Sequence, residues 1–299
     1  MKLLITGAFS LTEKQFNIIA NMGHEIVFMQ NEADPLSCPY GDVEGVICNG
    51  LFLHHQIEKF CNLRYIQLTS AGFDRVPMDY VQQKSIKIFN ARGVYSVPMA
   101  EFALGGVLSL YKNFQFFAEN QKFHRWQKHR ELKELFDKNV LIIGAGNVGV
   151  ECAKRFSLMG SKVFGADIVS FSSEYFKEIY TMKELQVPLS NADIVVLTLP
   201  LTNETRNLFS TDLFSKMKDG AVLVNIARGA IVNTNDLVAA LKTKLGGAVL
   251  DVFEEEPLGE DNELWDMKNV IITPHNSFVG EGNKKRLFEL IINNLVKEA

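Results

Sequence analysis

Short apolar runs punctuate the first hundred residues at 3–6, 25–29, 46–48 and 65–68, each bounded by Gly, Asn or Asp. Runs of this length suit strands better than helices. Between them, residues 11–21 and 55–61 carry apolar positions at helical spacing. Alternation of this kind predicts βαβ units and a parallel sheet. From Pro98 to about Asn120 the pattern becomes one long helix, with Pro98 in its first turn. Met99, Phe102, Ala103, Val107, Leu110, Phe114 and Phe117 cover more than one face of it, which predicts burial on several sides.

Residues 119–137 are charged, contain Trp126, and read as a connecting arm. A second βα series follows, with strands expected at 140–143, 162–166, 194–199, 221–225, 248–250 and 270–273. The tail from 283 to 299 reads as one amphipathic helix through Leu287, Leu290, Ile291 and Leu295. No internal repeat or low-complexity tract interrupts the chain.

Bulk properties narrow the function classes. A length of 299 residues favours two domains, and 47% hydrophobic with 22% charged residues is a globular composition. A net charge of −4 leaves no footprint for nucleic acid or an anionic membrane. The N-terminus lacks a signal-peptide pattern and no window of about 20 apolar residues exists to span a bilayer. Cys38, Cys48, Cys61 and Cys152 form no CxxC pair and no zinc spacing, and read as buried thiols of a reducing compartment. The expectation is a cytoplasmic protein. His54 with His55, and His124 with His129, have no cysteine or carboxylate cluster to complete a metal site, so no metal is expected.

The first chemical signal is Gly144-Ala-Gly146-Asn147-Val148-Gly149, a GxGxxG directly after the strand at 140–143 and before a helix expected at 150–159. Gly144 suits the tight turn, Gly146 a close approach of backbone to pyrophosphate, and Gly149 close helix–strand packing. The helix N-terminus then offers N–H groups and partial positive charge to the phosphates. Asp167 ends the next strand, 18 positions beyond Gly149, where a carboxylate can accept both ribose hydroxyls and repel a 2′-phosphate. NAD is therefore expected over NADP. The mid-chain position of the loop leaves the first hundred residues as a separate domain, available to hold substrate.

Four further segments end second-series strands: Thr198 to Thr202, Val224 to Gly229 (VNIARG), Leu250 to Pro257 (LDVFEEEP) and Thr273-Pro-His275. In this order behind the glycine loop, they resemble the D-isomer-specific 2-hydroxyacid dehydrogenase family, over nearly the whole chain. The resemblance implies an α/β fold of two doubly wound parallel-sheet domains: a flavodoxin-like substrate domain, 1–97 completed by 277–299, and a Rossmann NAD domain, 98–276. It implies that Arg228 grips the substrate carboxylate and polarises its carbonyl, that His275 is the acid/base, and that Glu256 hydrogen-bonds the histidine. Asp251 matches the residue that holds the nicotinamide carboxamide. The implied cofactor contacts further include Asn147, Val148, Leu199, Pro200, Thr205, Ile226, Ala227, Arg228 and His275. Thr69-Ser-Ala71-Gly72-Phe-Asp74 resembles the family loop whose backbone N–H groups hold the substrate carboxylate, at Ala71 and Gly72. A homodimer through the 98–130 region is implied as well.

The chemistry explains these residue types. Hydride delivery to a ketone builds negative charge on oxygen, so a proton donor and a cation must be in place. A guanidinium matches a carboxylate bidentately and stays charged. A carboxylate beside an imidazole favours its protonated form. The formate dehydrogenase branch has glutamine at the Glu256 position, so glutamate here points to proton-coupled turnover.

Two departures from the family pattern bear on substrate. Phosphoglycerate-specific members carry Arg-Ser after the third strand, where this chain has Asn49-Gly50-Leu51-Phe52-Leu53. That argues against a phosphorylated substrate. After His275 the chain reads Asn276-Ser-Phe-Val-Gly-Glu-Gly282, an unusual wall for the substrate pocket. The leading expectation is a 2-oxo acid reductase. An NAD-sensing binding protein like the corepressors of this architecture, and a dehydrogenase of phosphorylated hydroxy acids, stay open beside it.

Overall fold

A computed structural model describes residues 1–297 and divides the chain into two compact units: Met1–Tyr95 together with the segment from Gly280 onward, and Ser96–Val279.

The first unit runs β1 (Lys2–Thr6), α1 (Glu13–Asn21), β2 (Glu25–Met29), β3 (Gly45–Cys48), β4 (Tyr65–Leu68), α2 (Met78–Gln83) and β5 (Lys87–Phe89). Its sheet is wholly parallel in the order β2-β1-β3-β4-β5, the flavodoxin-like winding. A capping box starts α1, with Thr12 accepting from Gln15 N–H and the Gln15 side chain accepting from Thr12 N–H. The chain's final helix, Asn283–Val296, closes one face of this sheet. Leu287, Ile291 and Leu295, four residues apart, pack on Leu3, Ile5, Ile47 and Tyr65. Each such side chain contributes roughly 1.5–3 kcal/mol when fully buried. Asn294, on the same face, donates to Gln67 Oε1 at 2.8 Å, so a buried polar pair fixes the helix's register on β4.

The second unit begins with α3 (Ser96–Tyr111) and α4 (Phe114–Lys122), then β6 (Asn139–Ile143), α5 (Asn147–Leu158), β7 (Lys162–Asp167) and β8 (Glu178–Thr181). It continues through α6 (Gln186–Leu189), β9 (Ile194–Leu197), α7 (Thr211–Lys216), β10 (Val222–Asn225), α8 (Thr234–Thr243), β11 (Gly247–Leu250) and β12 (Val270–Ile272). The seven strands order as β12-β11-β10-β9-β6-β7-β8, all parallel, which is the Rossmann winding with one strand added. Strands β9, β10 and β11, and β6 beyond Asn139, are buried on both faces, in keeping with their largely apolar composition. No described helix is long and apolar enough to cross a membrane.

Local expectations fail where tertiary context intervenes. The long helix expected to about Asn120 breaks after Tyr111, and Asn113 takes the left-handed conformation, φ 50°, which an asparagine tolerates. The helical spacing at 55–61 forms only a single tight turn, Ile57–Lys59, because burying Ile57 and Phe60 needs no more than one turn. The pattern missed β5 and β8; both are short edge strands with polar residues, so neither makes an apolar run. The tail helix ends at Val296, and residues 298–299 lie outside the described residues.

The thiols divide too. Cys48 and Cys152 are buried and Cys38 half-buried, but Cys61 is exposed, which corrects the expectation of four buried thiols. Burial pushes the Cys152 thiol up to about 12 and raises Cys48 as well. A thiolate is the reactive form, so iodoacetamide on the native protein should label Cys61 first and leave Cys48 and Cys152 intact until unfolding; mass spectrometry of the labelled peptides reads the order.

Candidate active site

In the second unit the sheet order reverses at β6, and the glycine loop sits at that reversal. Gly144 has φ 98°, and a Cβ on it would come within 2.7 Å of Leu199 N. A Cβ on Gly149 would meet Gly144 O at 2.1 Å, so both positions need glycine. The Thr198 hydroxyl donates to Gly144 O at 2.6 Å and ties the loop to the end of β9. Over Gly146 nothing lies within 4 Å of an added Cβ, leaving backbone open to a ligand. Gly146 is the N-cap of α5 and makes no side-chain cap, and the positive end of the helix, with Asn147 and Val148, faces the loop. Asp167 ends β7 with Oδ2 accepting from Ala145 N–H at 2.6 Å and Oδ1 from Ile168 N–H at 2.7 Å. An open glycine cradle, a helix N-terminus and an acid on the neighbouring strand fit a dinucleotide.

The other expected contact positions follow the ends of β9 and β10. Leu199 is buried and Pro200 exposed. Thr205 closes their turn by donating to Pro200 O at 2.7 Å and accepting from Thr202 N–H at 2.7 Å. Ile226 and Ala227 are buried directly beyond β10.

Arg228 is half-buried, and its Nη1 donates to Ala227 O at 2.7 Å. Among the described residues no carboxylate pairs with it, which leaves most of the guanidinium fork for an external acceptor. Asn225 shapes the turn that presents it, accepting from Ala227 N–H at 3.1 Å and donating to Arg228 O at 3.2 Å. The next residue, Gly229, lies against the backbone of Phe253: a Cβ there would fall 1.8 Å from Phe253 C and O. That approach brings the arginine turn onto the segment carrying Glu256.

His275 and Glu256 meet. His275 Nδ1 donates to Glu256 Oε2 at 2.8 Å, and Glu256 Oε1 accepts from Phe253 N–H at 3.0 Å. The carboxylate is thus held between backbone and imidazole, and Nε2 has no partner among the described residues. The two side chains keep 43% and 37% exposure, so the pair is reachable. His275 has φ 51°, a left-handed backbone that costs a non-glycine residue about 1–3 kcal/mol. Asp251, wholly buried, maintains it. Its Oδ1 accepts from the Thr273 hydroxyl at 2.6 Å and Asn276 N–H at 2.7 Å, its Oδ2 from Ser277 N–H at 2.9 Å, and its carbonyl from His275 N–H at 2.8 Å.

In the first unit, the Thr69 to Asp74 loop leaves β4 with Thr69 N–H bonded to Cys48 O at 2.9 Å and Ala91 N–H to Ser70 O at 2.8 Å. The Asn90 side chain donates to Ala71 O at 2.6 Å. Neither Ala71 N–H nor Gly72 N–H donates to any described residue.

Sequence reasoning did not single out Asn225, Gly229, Thr273 or the Phe253 N–H. The one available signal was position, since Asn225 and Thr273 are the polar residues that end or directly follow otherwise apolar strands.

Comparison with known proteins agrees with this geometry. The family described as "D-isomer specific 2-hydroxyacid dehydrogenase, NAD binding domain" matches residues 104–277. A hydroxypyruvate reductase of Blautia hydrogenotrophica is 31% identical over 266 residues, 85% of this chain and 82% of that protein. A glyoxylate reductase of Thermofilum pendens is 33% identical over 242 residues, 79% of this chain and 71% of its own. The crystal structure of a D-isomer specific 2-hydroxyacid dehydrogenase family protein from Aeromonas salmonicida superposes with a TM-score of 0.78 at 29% identity, covering 99% of this chain and 95% of that one. With a dinucleotide loop, an unpaired arginine and a carboxylate-backed histidine at successive strand ends, the chain belongs to the D-isomer specific 2-hydroxyacid dehydrogenase family.

Proposed function

We propose that this family member works as a reductase of small 2-oxo acids, with Arg228, Glu256 and His275 as its machinery. The supporting observation is the 2.8 Å hydrogen bond from His275 Nδ1 to Glu256, which commits one ring nitrogen to the carboxylate and leaves Nε2 to exchange a proton. Bound NADH supplies the hydride. Arg228 holds the substrate carboxylate and its carbonyl oxygen by the free edge of the guanidinium, so charge that builds on that oxygen meets a cation already in place. His275 Nε2 delivers the proton to the resulting alkoxide, and Glu256 stabilises the imidazole throughout. Ala71 and Gly72 hold the substrate carboxylate by their N–H groups. Asp251 is assigned the nicotinamide carboxamide by its family position alone, since its side chain is wholly buried. Asn147, Val148, Leu199, Pro200, Thr205, Ile226 and Ala227 line the cofactor.

A homodimer is proposed through the region 98–130. Its arm exposes Trp126 at 98%, Phe114 at 57% and Phe123 at 52%, an apolar load that a second copy would cover.

Three outcomes follow. With NADH and a panel of glyoxylate, hydroxypyruvate, pyruvate and a bulkier 2-oxo acid, at least one should be reduced, and His275→Asn should lower kcat by about 10²–10⁴-fold with a smaller change in KM. A folded enzyme inert on the whole panel would refute the reductase reading. Replacing Asp167 with Ser should raise NADPH use relative to NADH about tenfold, by removing like-charge repulsion of the 2′-phosphate; an unmoved cofactor ratio would count against Asp167 as the ribose contact. Sedimentation should give twice the mass of one chain, falling toward that of one chain in Trp126→Ala.

A further inference from the structure

The first unit has its own reversal of strand order, between β1 and β3. The carboxyl ends that flank such a reversal are where open α/β sheets take ligands. Here a side chain fills the place. Glu32, three residues beyond β2, reaches back so that Oε1 accepts from the Thr6 hydroxyl at 2.7 Å and Asn49 N–H at 2.7 Å, and Oε2 from Gly50 N–H at 2.6 Å. Thr6 is the last residue of β1, and Asn49 the first after β3. The main chain of Glu32 is fixed as well: His55 Nε2 donates to its carbonyl at 2.9 Å, and the Tyr40 hydroxyl donates to His55 Nδ1 at 2.8 Å. Two successive N–H groups converging on one carboxylate make an anion-binding turn, and this turn already holds its anion.

That turn neighbours the proposed carboxylate loop. Cys48 pairs with Leu68 across β3 and β4, so Asn49–Gly50 and the Thr69 to Gly72 loop leave adjacent strands, about 4.8 Å apart at the sheet. We propose that Glu32 sets the charge selectivity of the reaction, rejecting 2-oxo acids whose C3 substituent is an anion and favouring a neutral substituent that can donate a hydrogen bond. The inference rests on the function proposed above, in which Ala71 and Gly72 hold the substrate carboxylate, and adds to it that the substituent extends toward the neighbouring turn. A carboxylate offers about four acceptor positions; the Thr6, Asn49 and Gly50 bonds leave one on Oε2, which suits a hydroxyl. An anionic substituent meets a like charge instead and finds both backbone donors taken. Without Glu32 the balance reverses. The Asn49 and Gly50 N–H groups are released, and the Arg75 side chain is close by, its Cδ 3.9 Å from where a Gly50 Cβ would lie.

The test compares hydroxypyruvate with the dianion oxaloacetate in NADH-coupled assays of wild type, Glu32→Gln and Glu32→Ala, with thermal melting to establish that each variant is folded. Glu32→Gln removes the charge at nearly constant shape, and Glu32→Ala empties the turn. Wild type should favour hydroxypyruvate in kcat/KM by about 100-fold, equal to about 2.7 kcal/mol. In both variants kcat/KM for oxaloacetate should rise about tenfold or more, while that for hydroxypyruvate stays level or falls. A wild type that reduces both acids equally well, or folded variants that change both alike, would overturn the role of Glu32 and leave the reductase reading intact. A wild type inert on every 2-oxo acid removes the reaction itself, and the selectivity with it.

Discussion

The site depends on one buried carboxylate. Asp251 has no solvent exposure, and burying such a group is tolerable only when hydrogen bonds replace its water. Each bond to a charged acceptor is worth about 1.5–3 kcal/mol, and the Thr273 hydroxyl with the Asn276 and Ser277 N–H groups supplies three. Satisfying Asp251 therefore folds the chain after β12 back over β11 and draws His275 into a left-handed turn. The imidazole then reaches Glu256, which the Phe253 N–H holds from its other oxygen. Packing alone would leave this exposed loop free to move; the buried acid orders it.

The same device recurs at other strand ends. Asp167 takes the Ala145 N–H of the glycine loop and Glu32 the Asn49 and Gly50 N–H groups. Parallel strands leave N–H groups unpaired where the chain turns away from their carboxyl ends, and those donors need acceptors. Where the acceptor is an internal acid, the turn is rigid. Where no acceptor among the described residues is supplied, as at Ala71 and Gly72, donors remain open. Filled and open turns thus differ in whether their backbone donors are already engaged.

Arg228 stays without a carboxylate partner among the described residues for a similar reason. A half-buried guanidinium ordinarily pairs with a carboxylate, yet Glu256 is committed to His275 and Asp251 to its own loop. The close approach of Gly229 to Phe253 sets the arginine turn against the acid-bearing segment without giving it a partner. With those acids engaged elsewhere, the guanidinium keeps its remaining donors available to an external acceptor.

Much of this was written in the chain order. Apolar runs identified the buried strands of both sheets, and the spacing of Gly144, Gly146 and Gly149 after β6 identified the dinucleotide loop, because period and glycine placement are local properties. Arg228, Glu256 and His275 were legible from their motifs, and the pairing of the last two was expected from resemblance. What the sequence alone could not decide depends on residues distant in the chain. The break at Asn113, the edge strands β5 and β8, and the exposure of Cys61 were set by neighbours that a local pattern does not contain. The partners of Asp251 and Glu32 likewise appear only in three dimensions. An acid's role is determined by which donors surround it, and those donors come from strands brought side by side by the winding of the sheet.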